Sequence, residues 1–133
     1  MIARLLAAAA PSLALLSLTI AQPAVAVERA KFSAAALQTA QAAGRPVLVD
    51  VAAWWCPVCR SQTSKIDRLS ANPKYDHLLI LRLDYDGQKP EWRALGVDRQ
   101  ATLIGFHGRR EVGRVAFQTD EALIAGLLDS TLK

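Results

Sequence analysis

The run Val47-Leu48-Val49-Asp50-Val51-Ala52-Ala53 constrains the fold more than any other stretch of the chain. It is of strand length and apolar throughout except for one acid, with no alternation of apolar and polar positions. A strand with one wet face alternates. A continuous apolar run suits a strand covered on both faces, the habit of parallel sheets in α/β proteins. A second such run, Leu-Leu-Ile-Leu-Arg-Leu at residues 78–83, follows after a helical stretch.

Around these two strands the elements alternate. Residues 31–43 carry Phe32, Ala36, Leu37 and Ala40 at helical spacing, and Gly44 ends the helix. A second helix runs from Pro57 to about Leu69 and stops near Asn72-Pro73; a short third one, from Pro90, closes at Gly96. Residues 102–106 and 111–117 read as strands joined by the tight turn His107-Gly108-Arg109-Arg110, a hairpin. Thr119 is expected to cap a last helix whose apolar face is Leu123, Ile124, Leu127, Leu128 and Leu132. Strands separated by helices imply parallel neighbours, and the hairpin adds an antiparallel edge. The expectation is one α/β domain, a mixed sheet of about four strands flanked by helices.

Residues 1–26 read as a secretory signal peptide. Arg4 supplies the positive charge, residues 5–20 are almost wholly apolar, and Ala24-Val25-Ala26 is an A-x-A cleavage pattern. Pro11, Ser12, Ser17 and Thr19 interrupt a run already short for a bilayer span. Cleavage after Ala26 leaves 107 of the 133 residues, enough for one domain at 27–133. The expected location is therefore the periplasm or the cell exterior. The chain has 16 Lys and Arg against 12 Asp and Glu, and losing Arg4 with the leader leaves a formal +3. Only Arg109 and Arg110 are adjacent among the arginines. Nucleic-acid binding needs a clustered basic patch or stripe, so no nucleic-acid partner is expected.

The stretch Ala-Ala-Trp-Trp-Cys-Pro-Val-Cys-Arg-Ser, residues 52–61, holds the only two cysteines, Cys56 and Cys59. A bridge between them closes so short a ring that it constrains little of the unfolded chain, which argues against a staple. Proline is favoured at the first helical position, where its missing N–H has no intrahelical use. Pro57 therefore places Cys56 at or next to a helix N-cap, where free N–H groups and the helix dipole favour an anion. Helix N-termini favour thiolate over thiol, and the thiolate is the nucleophile of thiol–disulfide exchange. Cys59 lies three residues on, on the same helical face, and is expected to be the more buried of the two. Cys56 is thus the attacking thiol and Cys59 the resolving one. Asp50 stands in the apolar strand six residues before Cys56. A carboxylate there is costly without a partner or a task. Either it points to a strand end or pairs with a nearby arginine, or burial raises its pKa and it takes the Cys59 proton as a general base.

The stretches V-L-V-D-V-A-A-W-W-C-P-V-C-R and L-G-V-D-R-Q-A-T-L-I-G-F-H-G-R-R-E-V-G-R-V resemble the thioredoxin superfamily in motif and spacing. The resemblance covers essentially all of residues 31–132. It implies a thioredoxin-like fold, Trp55 packed beside the attacking cysteine, Asp50 as the buried acid, and Arg82 where many members have a lysine near that acid. It further implies that Trp55, Pro57, Gln100, Ala101 and Thr102 border the substrate. The family's usual first strand is hard to find, and only residues 27–31 supply a short one. The family also has a cis proline directly before its Thr, where this chain reads Gln100-Ala101-Thr102. A cis bond before a residue other than proline costs roughly 2.5–4 kcal/mol, so a trans Gln100–Ala101 peptide is expected.

The function expected is an exported thiol–disulfide oxidoreductase, its redox centre the Cys56–Cys59 pair with no further cofactor. Its partners would be disulfide-containing proteins and a membrane thiol donor, and a monomer is expected. Exported oxidants of the superfamily often carry His between the cysteines; Pro57-Val58 offers neither a hydrogen bond nor a charge, which favours a reductant. The alternative is a metal-binding or metallochaperone module using Cys56 and Cys59, for which zinc or copper would want more ligands than these two. His77 and His107 are the only histidines, and neither has ligand spacing. Asp84-Tyr85-Asp86-Gly87 resembles the start of a calcium loop, but Leu95 falls where the bidentate glutamate belongs. Trp92 is expected in the core.

Overall fold

The computed structural model describes Ala21 and residues 26–133, so the signal-peptide reading falls outside the described residues. Five strands and four α-helices follow one another: β1 (Glu28–Lys31), α1 (Ala34–Ala42), β2 (Pro46–Ala52), α2 (Pro57–Ser70), β3 (Leu79–Asp84), α3 (Lys89–Ala94), β4 (Thr102–His107), β5 (Arg110–Ala116) and α4 (Glu121–Ser130). A short 3₁₀ turn, Pro73–Tyr75, separates α2 from β3. The strands form one sheet in the order β1-β3-β2-β4-β5. β1, β3 and β2 run parallel, while β4 and β5 pair antiparallel. The fifth strand is β1, whose four residues are all exposed, so no apolar pattern announces it. Its backbone pairing with β3, from Glu28 opposite Leu79 to Lys31 opposite Arg82, makes it an edge strand.

β2 is buried along its length apart from half-buried Pro46, as its composition requires. Side chains alternate across a strand, so Val47, Val49 and Val51 face one layer and Leu48 and Asp50 the other. The first layer holds Leu37 and Ala40 of α1, Trp92 of α3 and Leu81, Leu83, Ile104 and Phe106 of the sheet. The second holds Ile66 of α2 and Ile124, Leu127 and Leu128 of α4, packed on Leu48, Ile80 and Leu103. Helices thus cover both faces. Each fully buried Leu or Ile among them stabilises the fold by about 1.5–3 kcal/mol. Trp92 is in the core as expected; its indole N–H donates to the Tyr85 carbonyl at 2.9 Å, and the two rings stack at 4.9 Å.

The helix starts follow from capping chemistry. The Ser33 hydroxyl accepts from the Ala36 N–H, which moves the start of α1 to Ala34. α4 is capped by Asp120 rather than by Thr119: the Asp120 carboxylate accepts from the Leu123 N–H at 3.0 Å. The charged acceptor beside Thr119 takes the free amide, a stronger bond than a hydroxyl would make there.

Candidate active site

The parallel strands β2 and β3 deliver their carboxyl ends to one edge of the sheet, and antiparallel β4 begins there. In open α/β sheets that edge is where reactive groups gather. β2 ends at Ala52 and the chain passes through Trp54-Trp55 into α2. Cys56 is the N-cap of α2, with extended backbone (φ −87°, ψ 111°) and Pro57 as the first helical residue. The Cys59 N–H donates to Cys56 Sγ at 3.1 Å, so one of the free amides of the first turn already points at this sulfur. Cys56 and Cys59 are joined as a disulfide with Cα atoms 5.3 Å apart. Burial does not separate them, contrary to expectation: Cys56 is 1 % exposed and Cys59 2 %. In the oxidised protein both sulfurs share one small cluster with Ala52, Ala53 and Ala101, against which Val58 and Tyr85 pack. The position at the N-cap, rather than exposure, distinguishes Cys56.

Asp50 lies on the same face of β2 as Ala52, and Cys59 packs on Ala52, so the carboxyl sits beneath α2. It is 2 % exposed. Arg82 stands opposite it in the β2–β3 register and places a guanidinium nitrogen 3.3 Å from Asp50 Oδ2. The same guanidinium group donates to the Thr63 hydroxyl of α2 at 3.0 Å. Asp50 Oδ1 has no hydrogen-bond partner. Burial pushes the Asp50 carboxyl above the usual carboxylate range, with Asp67 adding a little, while Arg82 first and Arg29 second pull it back. Asp50 is therefore paired with Arg82, as one of the sequence readings has it, and its burial still outweighs the pairing. A groove of about 490 Å³, lined among others by Trp54, Cys59, Arg60, Thr63, Asp67 and Arg82, opens beside this pair to solvent. A larger apolar groove of about 520 Å³, between α1 and α3 on the opposite face, holds no cysteine.

The remaining candidates take their places around the disulfide. Trp54 is 83 % exposed and Trp55 43 %. The Trp55 indole N–H donates to Asp86 Oδ2 at 2.9 Å, which ties that ring to the turn after β3. Asp86 belongs to the stretch dismissed above as a calcium loop, where Asp84 Oδ2 accepts from the Gly87 N–H at 3.0 Å. Pro57 is exposed. Gln100 is half-buried, Ala101 fully buried against the sulfurs, and the Thr102 hydroxyl donates to the Arg99 carbonyl at 2.8 Å. No described peptide bond is cis. Ala101 instead adopts φ +56°, a left-handed conformation rare for a residue with a Cβ. Sequence reasoning missed Gln62, which is fully buried on α2 and whose amide donates to the carbonyls of Ala101 at 3.1 Å and Gln118 at 2.8 Å. The signal was its spacing: Cys59, Gln62 and Ile66 are all buried at helical intervals, although Gln62 is polar.

Neither histidine joins the site. His77 precedes β3 and His107 ends β4, both at the far end of the sheet, where His107 Nδ1 lies 2.8 Å from the Thr131 carbonyl. Thr102 and His107 are the two ends of β4, about 16 Å apart at the usual rise. Among the described residues no group of three or more His, Cys, Asp or Glu is arranged to hold a metal ion.

A dithiol closed across the first turn of a helix, fed by a buried strand and backed by a buried acid, defines a thiol–disulfide exchange protein. The comparisons agree: the thioredoxin family model matches residues 24–129, and the chain belongs to that family. It is 35 % identical to a thioredoxin of Chlamydia muridarum over 79 residues, 59 % of this chain and 76 % of that one. A thioredoxin of Alicyclobacillus acidocaldarius is 33 % identical over 86 residues, 64 % of this chain and 81 % of its own. Among solved structures, Trxlp from Edwardsiella tarda superposes with a TM-score of 0.72 at 37 % identity, over 76 % of this chain and 98 % of that one. The protein is a thiol–disulfide oxidoreductase of the thioredoxin fold, a family that acts on disulfides of other proteins.

Proposed function

We propose that this chain is an exported reductase of protein disulfides. The observation that carries the reading is Cys56 as the N-cap of α2, its sulfur already accepting the Cys59 N–H, at the end of a strand bearing a buried acid. In the reduced protein the Cys56 thiolate attacks one sulfur of a substrate disulfide. That bond breaks, the second substrate sulfur leaves as a thiolate, and Cys56 holds the first as a mixed disulfide. Cys59 then gives its proton to the Asp50 carboxylate and attacks Cys56 Sγ. The substrate departs with both thiols free, and the Cys56–Cys59 disulfide closes. Two electrons have passed to the substrate, and a membrane thiol donor returns them. Trp55 and Pro57 border the attacking sulfur, and the backbone of Gln100, Ala101 and Thr102 offers polar groups to the substrate chain.

The direction of electron flow rests on Pro57 and Val58, which give the Cys56 thiolate no side-chain hydrogen bond and no charge. A thiolate less stabilised makes a weaker oxidant. Equilibration of the metal-free protein, residues 27–133, against thiol buffers is expected to give a reduction potential near thioredoxin's, about −270 mV. A value near −120 mV, the strong-oxidant end, would reverse the proposed direction. Export rests on the charged start, apolar stretch and Ala24-Val25-Ala26 of the leader. The protein recovered from outside the cytoplasm is expected to begin at Val27 on N-terminal sequencing; a chain that keeps Met1 there would sink the cleavage assignment.

A further inference from the structure

A buried glutamine on the helix that carries the thiols needs a reason. Gln62 follows Cys59 by three residues, so the two lie on one face of α2. Its side-chain amide nitrogen spends both hydrogens on backbone carbonyls outside the helix, those of Ala101 at 3.1 Å and Gln118 at 2.8 Å. Its Oε1 is buried without a partner. A side chain recruited only to fill the core would be apolar there, because an unpartnered buried acceptor is a standing cost. What the amide secures must therefore matter to more than packing.

It secures the loop that faces the sulfurs. Ala101 is fully buried in the cluster with Cys56 and Cys59 and sits at φ +56°. No proline ring fixes the backbone at this position, and a Cβ disfavours the conformation. Hydrogen bonds have to hold it. The Ala101 carbonyl accepts two, from the Phe117 N–H at 2.8 Å and from Gln62. Phe117 is itself left-handed, at φ +53°, and the guanidinium of Arg99 lies 3.8 Å over its ring. The two chain segments on either side of the β4–β5 hairpin thus meet at one carbonyl, and Gln62 is the tie that joins both of them to the redox helix.

We propose that Gln62 is a positioning residue: through its amide it holds the Gln100–Thr102 loop at a fixed distance and orientation from the Cys56–Cys59 pair, so that the substrate backbone is presented to Cys56. It touches neither the substrate nor the sulfurs. This rests on the reading above in which that loop seats the substrate. Gln62→Met keeps the length and bulk of the side chain and removes both donors. With insulin as the protein disulfide, KM is expected to rise about three- to tenfold, the loss that one or two ordinary hydrogen bonds account for. The turnover number should stay within about twofold, since an interaction lost equally from ground and transition states leaves kcat alone. The reduction potential and the rate with a small aromatic disulfide, which has no backbone to seat, should not move.

Gln62→Leu is measured alongside, so that a folding defect in one variant does not decide the matter. Ala101→Pro separates the two layers of the argument, because proline cannot hold φ +56° and the loop must re-form. If Ala101→Pro raises KM for insulin and both Gln62 variants leave it unchanged, Gln62 is only a core residue and the inference is wrong. If none of the three changes KM, the loop is not the substrate's seat and the functional reading is wrong with it. A shift in reduction potential on Gln62→Met would also overturn the proposal, since it would put the residue's effect on the thiols.

Discussion

A Cys56→Ser protein is expected to reduce no protein disulfide at all, whereas Cys59→Ser is expected to complete half a cycle and stop. Both substitutions remove one sulfur from the same buried cluster, so their cost to stability should be alike. Their chemistry should not be. Cys56 holds the N-cap, and the free amides of the first turn of α2 stabilise negative charge at that sulfur. A hydroxyl in its place is not a nucleophile toward sulfur at neutral pH, and Cys59 has no comparable position from which to begin. In Cys59→Ser the first attack proceeds, but nothing displaces the substrate from Cys56. Mixed disulfides should then accumulate and be visible as higher-mass species on non-reducing gels, cleared by added thiol. Should Cys56→Ser trap partners while Cys59→Ser traps none, the two roles are exchanged. That outcome has a physical meaning, because equal burial of the two sulfurs in the oxidised state leaves the N-cap as the one structural feature that assigns them.

How much of this was legible in the sequence depends on whether a residue's partner was local. The redox helix was, since Cys56, Pro57 and Cys59 carry their own cap and first turn. The buried strand β2 was, since its composition states its environment. β1 was barely visible because all four of its residues are exposed and its only structural role is to pair with β3. The Thr119 and Asp120 positions were both chemically fit to cap α4, and only the geometry of the turn selects Asp120. Gln62 was hidden for a different reason: its spacing from Cys59 and Ile66 put it on the buried face of α2, but the carbonyls that bind it are 39 and 56 residues away, beyond any local pattern. The Asp50–Arg82 pair lies between. Each residue is conspicuous in its strand, but their opposition is a matter of parallel register, which spacing alone does not fix. The resemblance placed Arg82 near the acid; the sheet explains why it is there.

Asp50→Asn is expected to make the protein more stable at neutral pH and slower at its task, and the two effects share one cause. The Asp50 carboxyl is pushed above its ordinary value of 3.8 by burial, in spite of Arg82 and Arg29. The folded state therefore binds its proton more tightly than the unfolded chain does. Below the ordinary value both states are protonated and the burial costs nothing extra. As pH rises through the raised folded value, stability is lost, and beyond it the loss is constant. Asparagine has no charge to bury, so the gain from Asp50→Asn should vanish in acid and grow as pH rises above the ordinary carboxylate value. The gain survives the loss of the pairing because Arg82 is 44 % exposed and keeps its hydration when the Asp50 charge is removed. Urea unfolding of the oxidised proteins across pH would measure it, and a gain independent of pH would mean that Asp50 titrates alike in the folded and unfolded states, so that its charge carries no net cost in the fold. In the proposed mechanism the same substitution removes the acceptor for the Cys59 proton. A positioned base contributes roughly 10²–10⁴-fold, and the groove beside Cys59 lets water take part of that role, so the loss should lie near the lower bound. It should appear in the decay of the mixed disulfide and not in its formation, because only the second step needs that proton moved. Arg82→Met sharpens the test from the other side: without its strongest opposing charge Asp50 is pushed further up, so the pH range over which the second step accelerates should move upward. If instead Arg82→Met leaves that range where it was, the groove and not the carboxyl supplies the base.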